Sequence, residues 1–115
     1  MNRVNKKLTY EVADDSVTLS VIIGQAQLGR SVLKLEGEEI KRGINIRNAE
    51  IGAGPNLRDK VLLVKSVVTD VNDKTNLLSV HYEIEGGPEP HMEDVSTTVE
   101  QEGDSAIFRM TITFE

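Results

Sequence analysis

The sequence contains no cysteine and no tryptophan, and its aromatic residues are two tyrosines and two phenylalanines. The absence of cysteine excludes a disulfide-stapled scaffold, a thiolate zinc site and a cysteine nucleophile. The scarcity of aromatic rings disfavours a carbohydrate platform and a groove for single-stranded nucleic acid, since both bind by stacking. We therefore expect a core of valine, isoleucine and leucine, residue types that suit β-sheets.

Long hydrophobic runs and helical periodicity are also missing. No segment approaches the length needed to span a bilayer, so we predict no membrane insertion. No window keeps apolar residues at the spacing of an amphipathic helix. The 115 residues suffice for one hydrophobic core, and we predict a single domain over residues 1–115.

Positive charge is in the minority. Thirteen lysine and arginine residues stand against nineteen aspartate and glutamate residues, which gives a net charge of −6. An acidic chain gains little from the counterion release that drives binding to nucleic acid or to an anionic membrane surface. We predict neither of them as a partner.

The sequence does contain alternation with a period of two, the pattern of a half-buried strand. It is clearest in residues 77–85, where one face carries Leu78, Val80, Tyr82 and Ile84 and the other carries Ser79, His81, Glu83 and Glu85. The other alternating segments are residues 8–12, 17–23, 31–36, 44–51, 95–99 and 106–114. Roughly seven to nine strands separated by turn signals predict an all-β fold, an antiparallel β-sandwich of immunoglobulin-like architecture.

Turn chemistry suggests how the strands connect. We predict one hairpin between residues 61–71 and 78–85 and another between residues 95–99 and 106–114. The breaks at residues 52–56 and 86–90 contain glycine and proline, and we predict that both cross between sheets.

Residues 24–31 have the spacing of a phosphate-binding loop, with Arg30 where that motif requires lysine. The mechanism needs a helix to follow, because its N-terminal amides hold the phosphates. Residues 31–36 look like a strand instead. We therefore predict a polar connection here and no cofactor.

Acidic turns offer a candidate metal site. Asp70, Asn72 and Asp73 supply the oxygen donors that calcium prefers, although the segment lacks the glycine of a helix–loop–helix calcium loop and contains Lys74. Aspartate and asparagine are also common in turns for backbone reasons. Calcium binding is therefore an alternative hypothesis rather than the leading one.

The two histidines form no recognised metal spacing and belong to no catalytic motif. His81 is predicted on the outer face of a strand and His91 in a proline-flanked connection. The tyrosines and phenylalanines all fall on core-facing positions. We predict no catalytic residues and no enzyme activity.

The remaining function is recognition through the backbone and loops. We predict a non-catalytic binding or assembly module that contacts another protein or a second copy of itself. The candidate surfaces are the loops at residues 52–56 and 86–91 and edge strands at residues 8–13 and 105–115. A calcium- or small-ligand-binding module is the alternative. A small barrel enzyme with a polar cavity at His81 is a third hypothesis.

Overall fold

Alternating burial organises the chain into two packed layers. The computed structural model describes residues 2–115. Its elements are β1 (Asn2–Tyr10), β2 (Ser16–Ile23), β3 (Leu28–Leu35), β4 (Glu38–Gly43), β5 (Ile46–Ala53), α1 (Gly54–Leu57), β6 (Val61–Thr69), β7 (Leu77–Glu85), β8 (His91–Thr98) and β9 (Ser105–Phe114). A five-stranded sheet has the order β1-β9-β6-β3-β4, and a four-stranded sheet has the order β5-β2-β7-β8. The predicted all-β sandwich is confirmed, with nine strands.

The core lies between the sheets and is mainly aliphatic. Strand β9 shows the pattern best, because its alternate residues from Ala106 to Phe114 are buried while their neighbours are more exposed. All of the tyrosines and phenylalanines are buried, as predicted. Fully burying a leucine-sized side chain contributes roughly 1.5–3 kcal/mol, so the two inner faces hold the layers together.

The parallel pair of β1 and β9 departs from the otherwise antiparallel arrangement. Their register runs without interruption from Asn2 opposite Ala106 to Tyr10 opposite Phe114. The other described strand pairs are antiparallel. The long-range pairing with β9 makes the polar residues before Leu8 part of the strand, which is why β1 is longer than predicted.

Both predicted hairpins are wrong. Strands β6 and β7 belong to different sheets, and so do β8 and β9. The connections at residues 70–76 and 99–104 therefore cross between the layers. Conversely, β7 and β8 are antiparallel neighbours, so the break at residues 86–90 closes a hairpin and the crossover predicted there is also wrong. The break at residues 52–56 does lead from one sheet to the other, as predicted.

The sandwich is open along two sides. On one side the edge strands are β1 and β8, joined where Asn2 Nδ2 donates a hydrogen bond of 2.6 Å to the Thr98 carbonyl. On the other side β4 lies against β5. The edge prediction for residues 8–13 is confirmed for the part that lies in β1, whereas β9 lies between β1 and β6, so the edge prediction for residues 105–115 is wrong.

Candidate functional site

The crossover from β6 to β7 contains the predicted calcium ligands. Asp70 is fully buried, and its Oδ1 accepts a hydrogen bond of 3.2 Å from the Asn72 backbone N–H. Its Oδ2 has no hydrogen-bond partner. The side chain of Asn72 accepts a bond of 3.1 Å from the Lys74 N–H and donates one of 2.9 Å to the Gln25 carbonyl. Asp73 is exposed. Within residues 2–115 no three histidine, aspartate or glutamate side chains are grouped to hold a metal ion.

Gln27, which the sequence did not single out, holds this crossover in place. Its Oε1 accepts hydrogen bonds from the backbone N–H groups of Val71 (2.8 Å) and Asn72 (2.9 Å). Its Nε2 donates to the carbonyls of Thr75 (3.3 Å) and Leu77 (3.2 Å). One amide side chain therefore satisfies backbone groups at both ends of the crossover. No sequence signal marks it, since the contacts span more than forty positions.

The segment that resembles a phosphate-binding loop is a tight connection between strands. The Gly24 N–H donates a hydrogen bond of 2.9 Å to the Ser79 carbonyl, and the Gln27 N–H donates one of 3.2 Å to the Gly24 carbonyl. Strand β3 begins at Leu28, so no helix follows. The connection is shorter than predicted, and Arg30 belongs to β3.

His81 lies on the outer face of the four-stranded sheet between two carboxylates. Its Nδ1 is 2.6 Å from Asp94 Oδ1, and its Nε2 is 2.9 Å from Glu83 Oε1. These hydrogen bonds, from Glu83 first and then Asp94, raise the pKa of His81. Both ring nitrogens are therefore occupied by carboxylates, which leaves neither of them free to take a proton from a nucleophile.

His81 lines none of four clefts on the surface of residues 2–115; two lie on the outer face of the five-stranded sheet, and two lie beside connections. One of the latter two, of about 470 Å³, lies beside the connection from β8 to β9 and includes Glu100 and Asp104. The other, of about 360 Å³, lies beside the hairpin from β7 to β8 and includes Tyr10 and His91. His91 is tied to Glu93 by a contact of 3.0 Å. The hypothesis of a small barrel enzyme requires a polar cavity at His81. This histidine lies instead on the outer face of the four-stranded sheet.

The edges of the two open sides differ in regularity. Strand β1 pairs with β9 along its whole length, and β8 pairs with β7 along its whole length, without a shift in register. The pairing of β3 with β4 shifts once, between Leu33 and Lys34. The pairing of β2 with β5 shifts twice. The side formed by β1 and β8 therefore presents the straighter edges.

Charge is distributed unevenly between the two outer faces. Residues opposite each other in register share a face, so the outward positions of the five-stranded sheet follow from the buried ones. Its outward cations are Arg3, Lys7, Arg30, Lys34, Arg42, Lys65 and Arg109. Within these strands the acidic residue on the same face is Glu39, which is bonded to Arg42. The outer face of the four-stranded sheet carries Glu50, Glu83, Glu85 and Asp94, and His81 lies on the same face between Glu83 and Asp94.

Comparisons of this chain with protein-family models, with curated proteins and with solved structures found no match. Across residues 2–115 no helix has the length and apolar character needed to cross a membrane. The structure therefore assigns the chain to a structural class and to no family. That class is the two-sheet β-sandwich, here with nine strands.

Proposed function

We propose that this chain is a non-catalytic protein-interaction module, immunoglobulin-like in architecture, that takes up a partner strand at β1. The observation that supports this is the difference between the two open sides. Register shifts of the kind found at β4 and β5 bend an edge and discourage pairing with another chain. The edge of β1 runs for nine residues, about 30 Å, without such a shift.

The side chains of β1 indicate the chemistry of the partner. Arg3, Lys6 and Lys7 are exposed, so a strand added beside them gains from acidic side chains. Backbone hydrogen bonds would supply the affinity, and the acidic side chains of the partner would determine which peptides bind best. Edge lysines also discourage unwanted pairing, so the two roles must be separated by experiment.

Proline scanning of β1 provides that separation. Alternate residues of an edge strand bond the neighbouring strand, so one of the two positions Asn5 and Lys6 directs its N–H outward. Of the variants Asn5→Pro and Lys6→Pro, the one that keeps the wild-type melting temperature has lost an outward donor. Lys41→Pro in the bulged strand β4 is the matched control.

The measurement uses peptides selected by the wild-type protein from a random dodecapeptide library. We expect acidic, extended peptides whose binding slows hydrogen exchange at β1 amides. The folded β1 proline variant should lose at least tenfold in affinity, and Lys41→Pro should not. Equal binding by all the folded variants, or protection of amides elsewhere than β1, would overturn the proposal. Selection of no peptide, together with a strictly monomeric protein, would also overturn it.

Calcium binding is the second candidate function, and the unpartnered Oδ2 of Asp70 favours it. Buried polar atoms nearly always have a partner, and an orphaned carboxylate oxygen is one way in which an ion site shows itself. Asp73 and Asn72 lie in the same crossover. Calorimetric titration with calcium should then release heat and raise the melting temperature of the wild type and leave Asp70→Asn unchanged. Absence of both effects in the wild type would remove this candidate.

A further inference from the structure

The outer face of the five-stranded sheet, with its seven outward cations, is the basic face of the molecule, and two of these cations lie directly opposite each other at its centre. Lys65 on β6 and Arg109 on β9 are register partners on the outer surface of the five-stranded sheet. Like charges directly opposite destabilise a sheet. Among the described residues neither side chain forms a salt bridge within the chain. An anionic partner on this face would offset that repulsion.

Aliphatic side chains surround this pair. Val67 lies opposite both Arg30 and Ile107, and Val32 lies opposite Lys65. Val67 is exposed, and Leu28 beside it is 56% exposed. A surface that mixes arginine with aliphatic groups suits a protein partner. It lacks the aromatic rings on which nucleic acid bases stack.

A surface of the opposite charge exists on the same molecule. Glu83 and Glu85 on β7, Asp94 on β8 and Glu50 on β5 share the outer face of the four-stranded sheet. We infer that the basic outer face of one copy docks on the acidic outer face of a second copy, layer upon layer. This contact uses sheet faces and is separate from strand addition at the β1 edge.

The available area limits the size of this contact. Four strands about 4.8 Å apart and about eight residues long present roughly 500 Å². Two such faces bury about 1,000 Å² in total, at the lower limit of specific interfaces. The association is therefore weak and, because charges carry it, sensitive to salt. Since the two faces differ, each copy keeps a free face and further copies can add to the stack.

Charge reversal on each face tests the contact. The first variant, Lys65→Glu with Arg109→Glu, replaces the two central cations on the outer face of the five-stranded sheet by carboxylates. The second, Glu83→Lys with Glu85→Lys, replaces two of the four carboxylates on the outer face of the four-stranded sheet by cations. Arg58→Glu with Lys60→Glu changes the net charge as much as the first variant, at exposed positions between α1 and β6, and is the matched control. Melting temperatures confirm that each variant folds.

Sedimentation velocity over a concentration series, in about 20 mM and about 500 mM salt, gives the readout. We expect the wild type and the control to associate in low salt. Their association constants should be at least tenfold larger in low salt than in high salt. Each reversed variant alone should associate at least tenfold more weakly than the wild type, and an equimolar mixture of the two should associate more strongly than either variant alone. A monomeric wild type, reversed variants that associate normally, or a mixture that associates no more strongly than either variant alone would overturn the proposal. Retention of a monomeric wild type on heparin through Lys65 and Arg109 would overturn it in favour of a polyanion.

Discussion

The hydroxyl of Tyr10 donates a hydrogen bond of 2.9 Å to the backbone carbonyl of Glu89. It also accepts one of 2.9 Å from the Gly87 N–H. Tyr10 is the last residue of β1 in one sheet, and the hairpin that contains Gly87 and Glu89 belongs to the other. A single hydroxyl therefore fastens the edge of one layer to a turn of the other.

Replacing Tyr10 by phenylalanine should lower the free energy of unfolding by about 1–2 kcal/mol. The ring keeps its buried position, while the Gly87 N–H and the Glu89 carbonyl lose a partner. Urea denaturation measures the difference. Tyr82→Phe is the control, since no hydrogen bond to the hydroxyl of this buried tyrosine is found within residues 2–115. Equal losses in the two variants would show that the bridge between layers contributes nothing of its own.

Alternation predicted most of the buried side chains, although Ile44 at the start of the 44–51 segment is 54% exposed, and it did not predict which strands are neighbours. Val17, Leu19 and Val21 point inward as expected, because the period of two is a local property of any strand. The crossover after β6 has the composition of a hairpin turn, since Asn72 bonds the N–H two residues ahead. That local bond forms equally well whether the next strand joins the same sheet or the other.

The candidate sites were harder to predict, because long-range contacts decide them. Asp70 was expected in an acidic turn, yet its backbone is bonded to Asp104 and Gly103 of another connection, and its side chain is fully buried. The uneven charge of the two faces is also invisible in a net charge. It depends on the register that brings Arg109 next to Lys65.

The contribution of His81 to stability should fall as pH rises. Hydrogen bonds to Glu83 and Asp94 raise its folded-state pKa above that of the unfolded chain, so protonation favours the fold. The stabilisation is complete below the unfolded pKa of about 6.5 and is lost as pH rises through the folded pKa. The difference in unfolding free energy between the wild type and His81→Gln should therefore be larger at about pH 6 than at about pH 9.

His91→Gln serves as the control for this measurement, since His91 bonds one carboxylate rather than two. Comparison of each variant with the wild type at the same pH cancels the titration of other groups. The difference in unfolding free energy between the wild type and His81→Gln could be the same at both pH values or larger at high pH. Either result would contradict stabilisation by the hydrogen bonds of His81 to Glu83 and Asp94.

Truncating Gln27 should loosen the crossover between the sheets. Gln27→Ala removes four hydrogen bonds to backbone groups, and we expect a loss of about 2–4 kcal/mol in unfolding free energy. Gln27→Glu keeps the acceptor for Val71 and Asn72 but places an oxygen against two carbonyls, so it should also destabilise. Hydrogen exchange at the Val71 amide should quicken in Gln27→Ala. Gln25→Ala, in the same turn, should leave the free energy of unfolding nearly unchanged. A decrease as large as that of Gln27→Ala would refute the role of the Gln27 side-chain hydrogen bonds.

Asp70→Asn should not lower stability in calcium-free buffer. Asparagine keeps the oxygen that accepts the Asn72 N–H, and it replaces the orphaned carboxylate oxygen by a neutral amide group. Removing an unpartnered buried carboxylate oxygen should leave the unfolding free energy unchanged or raise it by up to about 1 kcal/mol. Asp70→Ala, which loses the Asn72 bond, should lower it by about 1 kcal/mol, and exposed Asp73→Asn should have no effect. If Asp70→Asn instead destabilises the protein by more than Asp70→Ala, the carboxylate has a partner, and a retained cation becomes the first ligand to search for by elemental analysis.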